Sequence, residues 1–70
     1  MNRTPVNSTM IRSIGYNSET QSLEIEFLKG GTVYLYSEFP TSEYEALMAS
    51  DSFGKFFGAR IKDKYPTAKL

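Results

Sequence analysis

The chain contains no cysteine and no histidine in its 70 residues. Without cysteine, no disulfide can hold the fold, and neither a thiol nucleophile nor a Cys-based metal site exists. Without histidine, the commonest general base and the commonest metal ligand are missing. Zinc fingers, Cys- and His-dependent hydrolases and switches that titrate near neutral pH are therefore excluded. Net charge is also absent, with eight basic residues against eight acidic ones and a pI of about 6.2. A dedicated binder of duplex DNA draws its affinity from phosphate neutralisation by a basic surface, so that class is not expected. No apolar run approaches the length of a membrane span, and the N-terminus lacks the apolar core of a signal peptide. The expectation is a soluble, cytoplasmic protein with no membrane partner.

What is present is enough for one small core. The hydrophobic fraction is 40% and the aromatic fraction 14%. Surface scaling gives roughly 4,400 Å² folded, which buries about 60% of the extended chain and lies in the marginal regime for a domain folding alone. One domain is expected over residues 8–70, with residues 1–7 as a flexible lead-in.

Three strand signals follow one another. The first, Thr9 to Tyr16, ends in the polar run Asn17-Ser18-Glu19-Thr20, whose side chains favour turns. In the second, Leu23, Ile25 and Phe27 alternate with Ser22, Glu24 and Glu26, the period of a strand with one buried face. The third runs from Thr32 to Ser37 and is dense in β-formers. Gly30-Gly31 between them reads as a two-residue hairpin loop. That loop would set Phe27 opposite Tyr34 and Ile25 opposite Tyr36, on one face with Leu23. Val33 and Leu35 then fall on the other face beside Leu28, an apolar patch suited to an interface or a homo-oligomer.

The second half is helical. Phe39-Pro40 stops the sheet, and Ser42 with Glu45 fits a capping box for a first helix ending near Ser50. Asp51-Ser52 offers a second N-cap. Phe53, Phe56, Phe57, Ile61 and Tyr65 then form one stripe about three turns long. Gly54 and Gly58 lie on this helix at a cost of about 1 kcal/mol each relative to Ala, which suggests a close backbone approach to a strand or a ligand. The expected fold class is α+β: a three-stranded antiparallel β-meander followed by two short C-terminal helices packed on one face.

Read in order, these segments resemble the KTSC domain. That small module is named for its occurrence at the C-terminus of some lysyl-tRNA synthetases, and it also occurs alone in bacterial and phage proteins. The resemblance is carried by Ile14-Gly15-Tyr16, Leu23-x-Ile25-x-Phe27, the glycine turn, Tyr34-Leu35-Tyr36 and Pro40. It continues through Ser52-x-Gly54-x-Phe56-Phe57, Ile61 and Tyr65, and so spans about Ser8 to Tyr65. Gly58 departs from the pattern, where a polar residue such as Asn is expected. The resemblance implies RNA binding only by association with the synthetase.

The candidate site residues each have two readings. Tyr16, Tyr34 and Tyr36 are either core and rim aromatics or a stacking platform for a base. Ser52 and Gly54 are either a plain cap with a packing glycine or the mouth of a phosphate site, with Asp51 opposing an anion there. Lys55, Arg60 and Lys64, with Lys62, are either a solvated basic face or contacts for an anion. The segment from Ser52 to Leu70 carries five basic residues and one acid, Asp63. No nucleophile has an evident base and no carboxylate spacing suggests a metal site, so neither catalysis nor a cofactor is expected. The resulting expectation is non-catalytic binding of a phosphate-bearing nucleotidic ligand, either a small soluble nucleotide or single-stranded RNA. In a phage protein this would suit sequestration of a signalling nucleotide. The alternative is a protein-interaction or homo-oligomerisation module using Leu28, Val33 and Leu35.

Overall fold

The alternation of Leu23, Ile25 and Phe27 organises the molecule. In the computed structural model, which describes residues 1–70, five strands form one antiparallel sheet in chain order. They are β1 (Thr4–Pro5), β2 (Ile11–Asn17), β3 (Ser22–Phe27), β4 (Val33–Tyr36) and β5 (Thr67–Lys69). Helix α1 (Thr41–Ala49) and helix α2 (Phe53–Phe56) lie between β4 and β5. Helix α2 runs on into a wide turn, Phe57–Ile61, closed by the Lys62 amide donating to the Phe57 carbonyl at 2.9 Å.

The class is α+β as expected, but the sheet has five strands rather than three. The two additional strands are short edge strands with every residue exposed, and they carry no apolar alternation. Strand β1 lies in the stretch expected to be a loose lead-in: Thr4 pairs with Ile14 and Pro5 with Ser13. Strand β5 follows Pro66 and pairs Thr67 with Tyr36 and Lys69 with Tyr34. What recruits them is the open hydrogen-bonding edge of β2 and of β4.

The hairpin register also differs from the expectation. Leu23 faces Tyr36 and Ile25 faces Tyr34, so the loop is Leu28-Lys29-Gly30-Gly31, closed by the Phe27 amide on the Thr32 carbonyl at 2.8 Å. Gly30 and Gly31 take φ of 74° and 65°, the left-handed region that glycine enters at no steric cost. The register moves by two residues, and strand side chains have a period of two, so no residue changes face. Leu23, Ile25, Phe27, Tyr34 and Tyr36 share the inner face, as expected.

The core forms on that face. Ile11, Ile14, Leu23, Ile25, Tyr36, Phe39, Leu47 and Ile61 are buried together. Each of the aliphatic side chains contributes about 1.5–3 kcal/mol by leaving water. Leu47 pins α1 to the sheet, and Ile61 pins the wide turn after α2. Helix α1 starts at Thr41, with Pro40 in the capping position and no side-chain cap, so the Ser42–Glu45 capping box is not formed. Ser52 does cap α2, accepting from the Lys55 amide at 3.3 Å.

The long second helix is reduced to four residues and a wide turn. Gly54 and Gly58 weaken helical propagation there. Neither is required for space: a Cβ on Gly54 would meet Met10 at an ordinary 3.7 Å, and one on Gly58 would meet nothing within 4 Å. No helix of the molecule is long and apolar enough to cross a membrane.

The outer face of the sheet is polar and held by ion pairs. Arg3 bridges to Glu24 at 2.6 Å, Arg12 lies 3.9 Å from Glu26, and the buried Ser13 hydroxyl donates to Glu26 at 2.8 Å. Val33 and Leu35 are half-buried on this face. Leu28, 39% exposed, lies past the end of β3 in the turn.

Candidate functional site

Strands β2 and β3 are more deeply buried than β4 and β5. The inner face of β4 borders a groove of about 770 Å³. This volume is in the range of small-molecule sites. The floor is Phe27 of β3, Thr32 just before β4, Tyr34 and Tyr36 of β4, and Thr67 of β5. One wall is Phe57, Lys62 and Asp63 from the wide turn and the segment after it. Thr9, Met10 and Lys29 close the end nearest the hairpin.

Four rings line this space, and they brace one another edge to face. Phe27 meets Tyr34 at 5.9 Å between centroids and Phe57 at 5.2 Å, and Tyr36 meets Phe57 at 6.0 Å. Such T-shaped contacts add about 0.5–1.5 kcal/mol beyond area burial and hold the rings in place. Tyr36 is buried, whereas Tyr34 is half-exposed. Burial pushes the Tyr36 phenol up to about 12, assisted by the nearby Tyr34 and Asp63. At neutral pH Tyr36 is therefore fully protonated and remains a hydrogen-bond donor.

The cations of the groove are Lys29 and Lys62, and its anion is Asp63. None of the three belongs to the molecule's ion pairs, which join Arg3 to Glu24, Arg12 to Glu26 and Arg60 to Glu43. Lys69 is the β5 partner of Tyr34, which adds a third lysine beside this edge of the sheet.

Two of the expected ligand residues, Tyr34 and Tyr36, meet in the groove. Tyr16 does not. Its hydroxyl donates to the Phe39 carbonyl and its ring stacks on Tyr44, so it is a structural aromatic. Ser52 and Gly54 border a smaller polar hollow with Asn7, Ser8, Thr9, Asp51 and Phe53, separate from the rings. Arg60 is bound to Glu43 and lies over the Phe56 ring at 5.2 Å, so its charge is already engaged. Lys55 and Lys64 are exposed and do not line the groove.

The groove residues not expected from the sequence as ligand contacts are Lys29, Phe27, Phe57, Asp63, Met10 and Thr67, whereas Lys62 belongs to the basic group expected to meet an anion. Lys29 lies in the turn past the end of β3, where strand parity does not place it. Phe27 and Phe57 read only as core.

Comparison with known proteins gives consistent likenesses. Residues 7–65 match the KTSC domain family. A crystal structure of a KTSC domain protein from Yersinia pestis is 38% identical, superposes with a TM-score of 0.94, and the match covers 99% of this chain and 96% of that one. An uncharacterized protein of Stutzerimonas stutzeri is 37% identical over 93% of this chain and 90% of its own length. A protein of Tsukamurella paurometabola is 35% identical over 94% of this chain and 97% of its own.

Proposed function

This chain belongs to the KTSC domain family, and from the chemistry of its groove we propose that it binds a small phosphate-bearing nucleotide without turning it over. The observation that carries this reading is the meeting of Tyr34, Tyr36, Phe27 and Phe57 with Lys29 and Lys62 in one space of about 770 Å³. Rings take up a base by stacking, worth about 1–3 kcal/mol per base, and a lysine ammonium takes up phosphate or donates to an acceptor on the base. The neutral overall charge and the limited groove favour a mononucleotide or a dinucleotide over a long RNA strand. A rigid, ring-lined groove suits holding a nucleotide, as in sensing or sequestration.

A self-association reading draws on Val33 and Leu35. Both are half-buried, and the carboxylates of Glu24 and Glu26 share their face. Nothing there matches the groove in depth or in chemical variety, so ligand binding is the preferred reading.

A thermal-shift panel of nucleotides and short RNAs tests it. A nucleotide at a hundredfold excess over its Kd adds about 2.7 kcal/mol, which raises Tm by roughly 10 °C or more in a domain of this size. Tyr34→Ala and Lys62→Gln should each remove most of that shift. No shift with any nucleotide or RNA removes the reading.

A further inference from the structure

The two ends of the groove differ in a way that selects among bases. Lys29 stands at the hairpin end, in the loop that closes on Thr32. Lys62 and Asp63 stand at the other end with Tyr36, and Asp63 lies four residues before Thr67, the β5 partner of Tyr36. Thr32 and Tyr36 are four strand residues apart, so about 13 Å separates the ends. That span suits a nucleotide laid lengthwise, with phosphate at one end and base edge at the other.

Asp63 holds φ of 61°, a left-handed conformation uncommon outside glycine. A hydrogen bond from the Lys64 amide to the Ile61 carbonyl at 3.0 Å closes the turn around it. This conformation places a carboxylate and the lysine before it on the same wall of the groove. An ionised carboxylate only accepts hydrogen bonds, and an ammonium only donates. Guanine is the base that offers two adjacent donors, N1–H and the N2 amino group, with the O6 acceptor beside them. Adenine presents a bare N1 acceptor next to its amino group, which a carboxylate repels.

The geometry points to a guanine nucleotide as the occupant: Asp63 accepts from N1–H and N2–H, Lys62 donates to O6, and Lys29 meets the phosphate. This rests on the groove being a nucleotide site, as proposed above. Asp63 is then the residue that determines specificity. It takes part in none of the ion pairs, so replacing it leaves the folded chain intact.

Isothermal titration calorimetry at one fixed salt concentration, with GMP, IMP, AMP and guanosine, tests this. IMP lacks only the N2 amino group and should bind about tenfold or more weakly than GMP, the worth of one hydrogen bond to a charged group. AMP should bind more weakly still. Asp63→Asn should bring GMP down to the level of IMP without changing Tm, because Asn also tolerates the left-handed conformation. Lys29→Gln should weaken GMP and leave guanosine unchanged. Equal affinity for GMP and AMP, or a GMP preference that survives Asp63→Asn, overturns the guanine assignment while leaving the groove a nucleotide site. No binding of any of the four at millimolar concentration overturns the guanine assignment, and no shift across the full thermal-shift panel overturns the nucleotide site as well.

Discussion

The rings of Tyr16 and Tyr44 lie stacked, 4.5 Å apart and within 8° of parallel. The Tyr16 hydroxyl also donates to the Phe39 carbonyl and lies 3.2 Å from the Thr41 hydroxyl. One side chain thus ties the end of β2 to the start of α1. This fixes the angle at which α1 crosses the sheet and leaves Tyr16 no part in the groove.

Tyr16→Phe keeps the stack and loses the hydroxyl, so it should cost about 1 kcal/mol. Tyr16→Ala removes both and should cost about 3 kcal/mol. Urea unfolding measures both differences. Ligand affinity at a temperature where each variant is folded should match the wild type.

Tyr36 makes stability depend on alkaline pH. Its phenol is pushed from 10.0 up to about 12 in the folded chain, chiefly by burial. Between these values the unfolded chain has lost the proton and the folded chain keeps it. Stability attributable to Tyr36 is therefore full below about pH 10 and is lost as pH rises toward 12. Tm against pH should show this fall in wild type and a smaller fall in Tyr36→Phe. Identical profiles would show that the phenol is not desolvated.

Gly15 lies under the N-terminal arm. A Cβ there would stand 2.9 Å from the Arg3 Cγ and from the Asn2 carbonyl oxygen, so the arm must move. Gly15→Ala should break the Arg3–Glu24 bridge and cost about 1 kcal/mol. Most of that penalty should vanish when residues 1–3 are deleted in both backgrounds, the coupling that a double-mutant cycle reads from unfolding curves.

Assembly state separates the two functional readings. Light scattering should report a monomer whose mass does not change with Leu35→Lys. A dimer that Leu35→Lys dissociates would favour an assembly module built on the outer face.

Parts of this molecule are legible in the residues themselves. The alternation through β3 and β4 assigns faces correctly even though the hairpin register is two residues off, because a shift of two preserves them. The turn glycines, the helix after Pro40 and the Ser52 cap all carry local signals. Strands β1 and β5 do not. Pro5 and the exposed Thr67-Ala68-Lys69 become strands only because β2 and β4 offer open edges, a tertiary cause. The groove is hidden for the same reason. It gathers Lys29, Lys62 and Asp63 from segments that are distant along the chain. Strand parity places Tyr34 and Tyr36 on one face. Lys55 and Lys64 are exposed away from the groove and Arg60 is paired with Glu43, outcomes that helical spacing does not show.

Amide proton–nitrogen correlation spectra, recorded while GMP is titrated into the labelled protein, test nucleotide binding in the groove most directly. Saturable shifts should appear at Phe27, Lys29, Tyr34, Phe57, Lys62 and Asp63, with Tyr16, Arg60 and the outer-face Leu35 unmoved. Unchanged spectra at millimolar GMP, or shifts confined to Tyr16, Ser52 and Arg60, would contradict it.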